Sequence, residues 1–261
     1  MRRLAFLILL AISSGAAASD LVWYDGQHPV TYQVVGKTDL VVKTALDMFC
    51  SDLQQVTGQR PVSAKKQATV RIVQGTARDD GFRLSVSREG QILVEGHNGR
   101  GTAYGLLELS RLAGVSPWVW WGDVVPERQS RLTLPADFRM EHTPSVAYRG
   151  IFINDEDWSL RNWSSKTFEP TGRTGIGPKT YKEVFKLLLR LRANTIWPAM
   201  HEGGTGFFTV KGNKEMADSC GILIGSSHCE PLLRNNVAEW DKKVRGDYNY
   251  ITNREHLRQY W

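Results

Sequence analysis

The chain has 261 residues, of which 41% are hydrophobic and 23% charged, and its formal net charge is +6. This apolar content is enough for a packed core and excludes general disorder. Three cysteines are too few for a disulfide scaffold, and at most one pair of them can form a bridge. No basic run is interleaved with aromatic residues, and no apolar run after the N-terminus approaches the roughly 20 residues of a membrane span. We therefore expect neither nucleic acid nor a membrane as partner.

Residues 1–19 have the pattern of a signal peptide. Arg2 and Arg3 precede an apolar stretch at residues 4–12, and three small residues, Ala16, Ala17 and Ala18, follow it. A positive start, an apolar centre and a small-residue cleavage site are typical of secretory signals. The pattern predicts a mature chain that begins near Ser19 and is secreted or periplasmic.

Residues 20–145 are predicted to form a small α/β domain. Asp39 precedes a helix whose apolar residues recur at helical spacing, and Gly114 ends a second helix. Between the helices, apolar alternation predicts a strand and a hairpin. In chain order these elements are a helix after residue 39, a strand at 69–73, hairpin strands at 82–86 and 92–95, and a helix at 103–112. This order favours a small sheet with helices on one face.

A tryptophan-rich segment, residues 118–121, follows the second helix. Three of its four residues are Trp, and Pro117 and Gly122 flank it. Aromatic side chains of this density serve either as core packing or as stacking faces for sugar rings, because they bring a large area into contact in both roles. The residues alone leave both interpretations open.

Residues 146–261 repeat one arrangement three times. Apolar strands at 148–153, 194–197 and 222–225 each end in ionisable residues and are followed by a helix. Parallel βα units behave in this way, and their active sites lie at the carboxyl ends of the strands. The pattern predicts the first βα units of a TIM (β/α)8 barrel.

The end of the chain carries a further expectation. Residues 252–261 begin an amphipathic helix with Leu257, Tyr260 and Trp261 on one face, and no Gly or Pro ends it. Closing eight strands takes about 250 residues, far more than the segment from Val146 onward. We therefore expect a truncated chain whose barrel is incomplete.

Asp155, Glu156 and Asp157 follow the first of these strands. Adjacent carboxylates raise one another's pKa, as a general acid requires. If the strand continues, alternation directs Asp155 and Asp157 to one side and Glu156 to the other. The alternative is an acidic, solvated loop.

Three other chemistries find no support. His228, Cys229 and Glu230 lack a zinc spacing, so neither a metal nor a cofactor is expected. The glycine-rich stretch at 172–180 has Pro178 where a phosphate loop needs Lys. The chain also lacks the G-x-S-x-G turn of many serine hydrolases.

Five motifs resemble glycoside hydrolase family 115. Listed along the chain, they are RGTAYG at 100–105, GVSPW at 114–118, YRGIFINDEDW at 148–158, LLLRLRANTIWPAM at 187–200 and SHCEP at 227–231. The resemblance covers nearly all of the predicted mature chain. It implies a small N-terminal α/β domain followed by a TIM barrel, here present in part.

The family resemblance implies a xylan α-1,2-glucuronidase that removes (4-O-methyl)glucuronic acid from glucuronoxylan with inversion. Inversion requires two carboxyl groups about 6.5–9.5 Å apart. By resemblance, Glu156 is a catalytic candidate, while the main acid and base belong to later strands. Candidate substrate-binding residues are Asn154, Asp155, Trp197, His201, His228, Glu230, Arg234 and Trp120. Arg234, together with Arg100, is a candidate for binding the sugar carboxylate.

The resemblance implies a polysaccharide or oligosaccharide partner, and a homodimer is one assembly the full-length form could adopt. Because the barrel is expected to be incomplete, we expect the chain alone to be inactive. Two alternatives remain open: a non-catalytic carbohydrate-binding protein that uses the tryptophan-rich segment, and a hexosaminidase-like glycosidase.

Overall fold

The structure, a computed structural model, describes residues 19–170, 172, 174–228 and 230–261. The predicted signal peptide and Cys229 therefore lie outside the described residues, apart from Ser19. Within the described ranges, no helix has the length and apolarity needed to cross a bilayer.

The first part of the chain is built around a six-stranded sheet of order β3-β2-β4-β6-β5-β8. Strands β2, β3, β4 and β6 run parallel, whereas β5 is antiparallel to both β6 and β8. The strands are β2 (Thr31–Val35), β3 (Val62–Ser63), β4 (Val70–Gln74), β5 (Phe82–Val86), β6 (Ile92–Gly96) and β8 (Arg139–His142). Strands β1 (Leu21–Tyr24) and β7 (Leu132–Leu134) form a separate antiparallel pair. The predicted strand and hairpin are confirmed.

Two long helices cover this part of the molecule. Helix α1 (Leu40–Thr57) follows Asp39 and ends at Gly58, whose φ is 82°. Helix α2 (Gly99–Leu112) begins four residues earlier than predicted, because the Asn98 side chain accepts a hydrogen bond from Gly101 N at 2.9 Å and caps it. Helix α2 packs on the sheet, and α1 packs on α2. Of the stripe predicted for α1, Val42, Ala45, Phe49 and Leu53 are buried and Leu46 is half-buried.

The second part contains a three-stranded parallel sheet of order β11-β10-β9. Its strands are β9 (Gly150–Phe152), β10 (Thr195–Trp197) and β11 (Leu223–Ile224). Helix α3 (Leu160–Trp163), a π-helical turn (Ser164–Phe168) and α4 (Pro178–Arg190) connect β9 to β10, and α5 (Asn213–Cys220) connects β10 to β11. All three predicted strands are present, and each is shorter than predicted: β9 and β11 at both ends, and β10 at its start only. The fold is therefore mixed α/β.

Three short helices follow β11: α6 (Asn236–Glu239), α7 (Lys242–Arg245) and α8 (Arg254–Tyr260). The predicted last helix is present, with Leu257 and Tyr260 buried. Trp261 departs from the expected buried face: it is 42% exposed and stacks on Tyr250 at a centroid distance of 5.8 Å. Elsewhere, Cys50 and Cys220 are buried free thiols, and burial raises the pKa of Cys50 to about 11.

Arginines that flank the parallel strands bind carboxylates of the first part. Asp80, between β4 and β5, accepts hydrogen bonds from Arg149 Nη2 at 2.8 Å and from Asn194 Nδ2 at 2.8 Å, residues that lie just before β9 and β10. Arg190 at the end of α4 forms a two-point ion pair with Asp52 of α1, at 2.7 and 2.8 Å. These contacts hold the amino ends of the strands, so the carboxyl ends are left to form the site.

Candidate active site

The segment after β9 presents its carboxylates alternately to solvent and to the interior. Asp155 and Asp157 are exposed, whereas Glu156 is 2% exposed. The strand ends at Phe152, so a turn rather than a continued strand produces this alternation. The turn is closed by Trp158 N, which donates to Asp155 O at 3.2 Å, and by Arg161 N, which donates to Glu156 O at 2.7 Å. Glu156 is thus separated from its two acidic neighbours, although the strand does not continue through residues 153–157 as the expectation required.

Glu156 is held at the end of the next strand along the sheet. Its Oε1 accepts a hydrogen bond from the backbone N of His201 at 2.8 Å, in the loop that follows β10. Its Oε2 is buried and has no hydrogen-bond partner among the described residues. A buried carboxylate oxygen without a partner is costly in a structural role, since such groups are normally hydrogen-bonded. This oxygen is therefore available to a ligand.

His201 links Glu156 to Asp157. Its Nδ1 lies 2.6 Å from Asp157 Oδ1 and 3.7 Å from Glu156 Oε2. The hydrogen bond to Asp157, followed by the charge of Glu156, raises the pKa of His201. The same hydrogen bond lowers the pKa of Asp157. The arrangement favours an imidazolium between two carboxylates.

The ligand atoms of Glu156, Asp157 and His201 lie within 4.8 Å of one another, as in some metal sites. The hydrogen bond between His201 and Asp157 already accounts for this proximity, because a protonated imidazole supplies the positive charge. The donor set therefore does not call for a metal.

Glu230 supplies a second buried carboxyl group beyond β11. It is 6% exposed, its backbone N donates to Ser227 O at 3.1 Å, and its Oε2 has no partner among the described residues. Burial raises the pKa of Glu230, and the negative charges of Glu156 and Glu239 raise it further. A carboxyl group of this kind retains its proton to higher pH, as a general acid must.

Tyr181 of α4 is buried near both carboxyl groups. Its buried hydroxyl accepts a hydrogen bond from Ala199 N at 3.2 Å. Burial raises the pKa of Tyr181, and the charges of Glu156 and Glu230 add to the effect. Tyr181 lies on the buried, mostly apolar face of α4, and its hydroxyl is the sequence signal of a polar environment there.

The other predicted residues near this rim have different surroundings. Asn154 is exposed. Trp197 ends β10, is 42% exposed and packs edge-on against Phe152 at 5.5 Å. His228 is exposed, and no hydrogen bond between its side chain and Glu156 occurs in the described part of the chain. Arg234 pairs with Glu239 at 2.6 Å and lies 4.5 Å from the ring of Tyr260.

Two residues do not lie where the predicted pocket requires them. Arg100 pairs with Asp80 at 2.9 Å and reaches Gly221 O at 3.4 Å, at the amino ends of the strands, so it is away from the rim. Trp120 lines a different groove, between α1 and α4. Contacts with Trp121, Trp163 and Phe168 hold its ring there, and its role in binding sugar stays a prediction.

A parallel sheet with buried carboxyl groups at the carboxyl ends of its strands is typical of glycoside hydrolases. The model of glycosyl hydrolase family 115 matches residues 141–261. One solved structure, described as a family GH115 4-O-methyl-α-glucuronidase, BtGH115A, with specificity for decorated arabinogalactans, is 42% identical, with a TM-score of 0.85 over 93% of this chain and 34% of that chain. The chain belongs to glycoside hydrolase family 115 and spans about a third of that relative's length.

More distant structures share the fold alone. A Streptomyces plicatus β-hexosaminidase is 18% identical, with a TM-score of 0.52 over 81% of this chain and 44% of that chain. A Flavobacterium johnsoniae chitobiase is 14% identical, with a TM-score of 0.53 over 83% of this chain and 34% of that chain. No curated protein matches the chain.

Proposed function

We propose that the chain is part of an inverting glycoside hydrolase that removes (4-O-methyl)glucuronic acid side chains from glucuronoxylan. The observation that carries the proposal is the buried pair Glu156 and Glu230, each with an unpartnered carboxylate oxygen, in a chain of family 115. The 42% identical relative is described as a 4-O-methyl-α-glucuronidase, which supports (4-O-methyl)glucuronic acid as the sugar that is released.

The chemistry proposed for the site follows from the charges around it. Glu156 Oε2 accepts a hydrogen bond from a sugar hydroxyl or a water molecule, while the backbone N of His201 holds the opposite oxygen. Burial and the nearby negative charges raise the pKa of Glu230, and in its protonated form it donates to an oxygen of the sugar. Inversion requires two catalytic carboxyl groups on opposite sides of the sugar. We assign Glu156 as one of them and place the other on a later strand, so that Glu230 binds the sugar and is not part of the catalytic pair.

The proposed architecture is a (β/α)8 barrel whose first three strands are β9, β10 and β11, preceded by an α/β domain at residues 20–145. The parallel register of the three strands supports it, since Ile196 of β10 pairs with Ile151 of β9 and Ile224 of β11. The strands would continue through further βα units until the sheet closes. Three strands form only part of such a rim, so we propose that the 261-residue chain alone does not release the sugar.

Replacement of Glu156 in the protein encoded by the complete reading frame tests the function. We expect Glu156→Gln to lower release of (4-O-methyl)glucuronic acid from glucuronoxylan by about 10²- to 10⁴-fold, because a catalytic carboxyl group is lost. Glu202→Gln, an exposed carboxyl change in the neighbouring loop, is the matched control and should leave the rate unchanged. Full activity of Glu156→Gln, or sugar release by the 261-residue chain alone, would contradict the proposal.

The substrate has a second candidate, because the relative is described as specific for decorated arabinogalactans. The same assay with glucuronic-acid-decorated arabinogalactan decides between the two polysaccharides. Faster release from that polymer than from glucuronoxylan would assign arabinogalactan as the substrate and would leave the proposed role of Glu156 intact.

We also propose that the protein is exported, on the strength of the N-terminal pattern of charge, apolar residues and small residues. Mass spectrometry of the protein from the native host should give a mature N-terminus close to Ser19. A cytoplasmic protein that retains Met1 would refute export.

A further inference from the structure

A groove of about 320 Å³ lies between α1, the tryptophan-rich segment and α4, on the helix side of the parallel sheet. Its apolar surface is formed by Met48, Leu187, Trp120 and Trp121. Glu156, His201 and Glu230 do not line it. Ligand sites commonly occupy about 300–1,000 Å³, so the groove suits a short stretch of a polymer. The molecule therefore has a second concave site apart from the candidate active site.

Trp120 gives this groove a fixed aromatic surface. It is 40% exposed, and its ring is held by edge-on contacts with Trp121 at 4.8 Å and Phe168 at 5.3 Å. The two neighbouring indoles differ: Trp121 Nε1 donates to Glu183 O at 3.1 Å, whereas Trp120 Nε1 has no partner among the described residues. A held aromatic face with a free N–H binds a ligand at little entropic cost, because its orientation is already fixed.

The walls of the groove are polar and are themselves fixed. Asp52 and Arg190 form the two-point ion pair described above, and Glu183 pairs with Lys186 at 2.8 Å. Gln55 of α1 is exposed on the same wall. Carboxylates and a side-chain amide beside an aromatic ring match the alternating hydroxyl and C–H surfaces of a pyranose.

The charges of the groove favour an uncharged ligand. Three carboxylates line the groove, from Asp47, Asp52 and Glu183, and each is already paired with a cation, Arg60, Arg190 and Lys186 respectively. An additional carboxylate, such as that of glucuronic acid, would therefore find no unpaired cation in the groove. A neutral sugar needs no such partner.

We propose that this groove is a second, non-catalytic site that binds an uncharged segment of a polysaccharide main chain, with one sugar ring stacked on Trp120. The choice of a polysaccharide as ligand rests on the proposed function, whereas the existence of the groove does not depend on that function. A site of this kind holds the polymer close to the candidate active site and so raises the local concentration of side chains to be cleaved.

Binding of uncharged oligosaccharides to the complete protein tests the proposal. Isothermal titration with unsubstituted xylohexaose and with a β-1,3-linked galactohexaose separates the two possible polymers, and we expect one of the two to bind. Trp120→Ala should weaken that binding at least about tenfold, because a stacking face is lost. Trp118→Ala is the matched control, because Trp118 is 50% exposed in the same segment but does not line the groove. This variant should bind the hexaose with the affinity of the unmodified protein.

Gln55→Ala provides a second variant that leaves the aromatic cluster intact. It changes an exposed helical position, so the protein should fold, and the loss of hydrogen bonds to sugar hydroxyls should weaken binding about fivefold. Circular dichroism of each variant confirms folding. If Trp120→Ala does not fold, the affinity of Gln55→Ala for the hexaose decides whether the groove is the binding site.

Three results would overturn the proposal: no binding of either hexaose, equal affinity of the unmodified protein and both groove variants, or an equal loss in Trp118→Ala. Sugar release from glucuronoxylan is measured in parallel on the same samples. Failure of that reaction refutes the proposed function, but it leaves the titrations interpretable, because neither hexaose carries a glucuronic acid.

Discussion

Electrostatics at the residue scale centre on His201. It bridges two carboxylates that differ in exposure, because Asp157 is exposed and Glu156 is buried. The hydrogen bond to Asp157 and the charge of Glu156 raise the pKa of His201, so the protonated imidazole is favoured beside the buried carboxyl group. The turn after β9 and the loop after β10 are thereby connected by one charged network.

The His201–Asp157 contact predicts a defined pH dependence. The folded-state pKa of His201 is raised, so its contribution to stability is complete below the unfolded value of about 6.5 and is lost as the pH rises through the folded value. The pKa of Asp157 is lowered, so its contribution is present above about 3.9 and is lost as the pH falls through the folded value. Both contributions to stability are therefore present between about pH 3.9 and about pH 6.5.

Asp157→Asn tests this network directly. Loss of the carboxylate should return the pKa of His201 toward its ordinary value, followed by NMR titration of the imidazole ring. Asp218→Asn, which alters an exposed ion pair with Lys214, is the control and should leave the His201 titration unchanged. An unaltered His201 pKa in Asp157→Asn would show that this contact does not set it.

Sequence reasoning reached part of the site at this scale. It separated Glu156 from Asp155 and Asp157 by assuming that the strand continues, whereas a turn after Phe152 produces the separation. It missed that Tyr181 lies near Glu156 and Glu230, because these carboxyl groups follow other strands. It misplaced Arg100, because the partner Asp80 is 20 residues away and belongs to a loop with no recognisable pattern.

At the scale of elements, Asp80 connects the loop before β5 to the starts of two parallel strands. Besides Arg149 and Asn194, it accepts hydrogen bonds from Asn98 at 3.0 Å and Arg100 at 2.9 Å. Burial alone would raise its pKa, but the hydrogen bonds from Arg149, Asn98 and Asn194 and the charge of Arg100 together lower it. The carboxylate is therefore ionised, and each of its two oxygens accepts two hydrogen bonds.

Asp80→Asn should lower the free energy of unfolding by about 3 kcal/mol, because two arginines lose a buried partner. The difference from the unmodified protein should shrink as the pH falls below about 4, since the lowered pKa makes the carboxylate stabilising only above that range. Urea unfolding at several pH values measures both effects. Asp218→Asn, at an exposed pair, should cost less than about 1 kcal/mol, and an equal cost for the two variants would refute the role of Asp80.

The long helices were the elements best predicted from sequence. Helix α1 has a clear apolar stripe, and Asp39 marks its start, because helix periodicity and capping are local signals. The strands of the parallel sheet are shorter than predicted, since turn residues such as Ile153 remain apolar and buried after the strand ends. Apolar character alone does not distinguish a strand residue from a buried turn residue that follows it.

At the scale of the whole molecule, the order of strands and helices was predictable and the packing of the two parts was not. The pairs Asp52–Arg190 and Glu108–Arg192 join residues 138 and 84 positions apart. No periodicity or spacing relates such residues, because only the folded chain brings them together. The groove lined by Trp120 depends on the same packing, since α1 and α4 form its two sides.

The matched carboxylate–arginine pairs have a consequence for building chimaeras from related enzymes. Asp52, Asp80 and Glu108 belong to the first part of the chain, and Arg190, Arg149 and Arg192 to the second. In a graft that brings in only one half, Asp80 and Glu108 would keep Arg100 and Arg111, whereas Asp52 would be buried without its arginine, at a cost of several kcal/mol. Recombination between homologues should therefore succeed best where donor and recipient both carry the Asp52–Arg190 match.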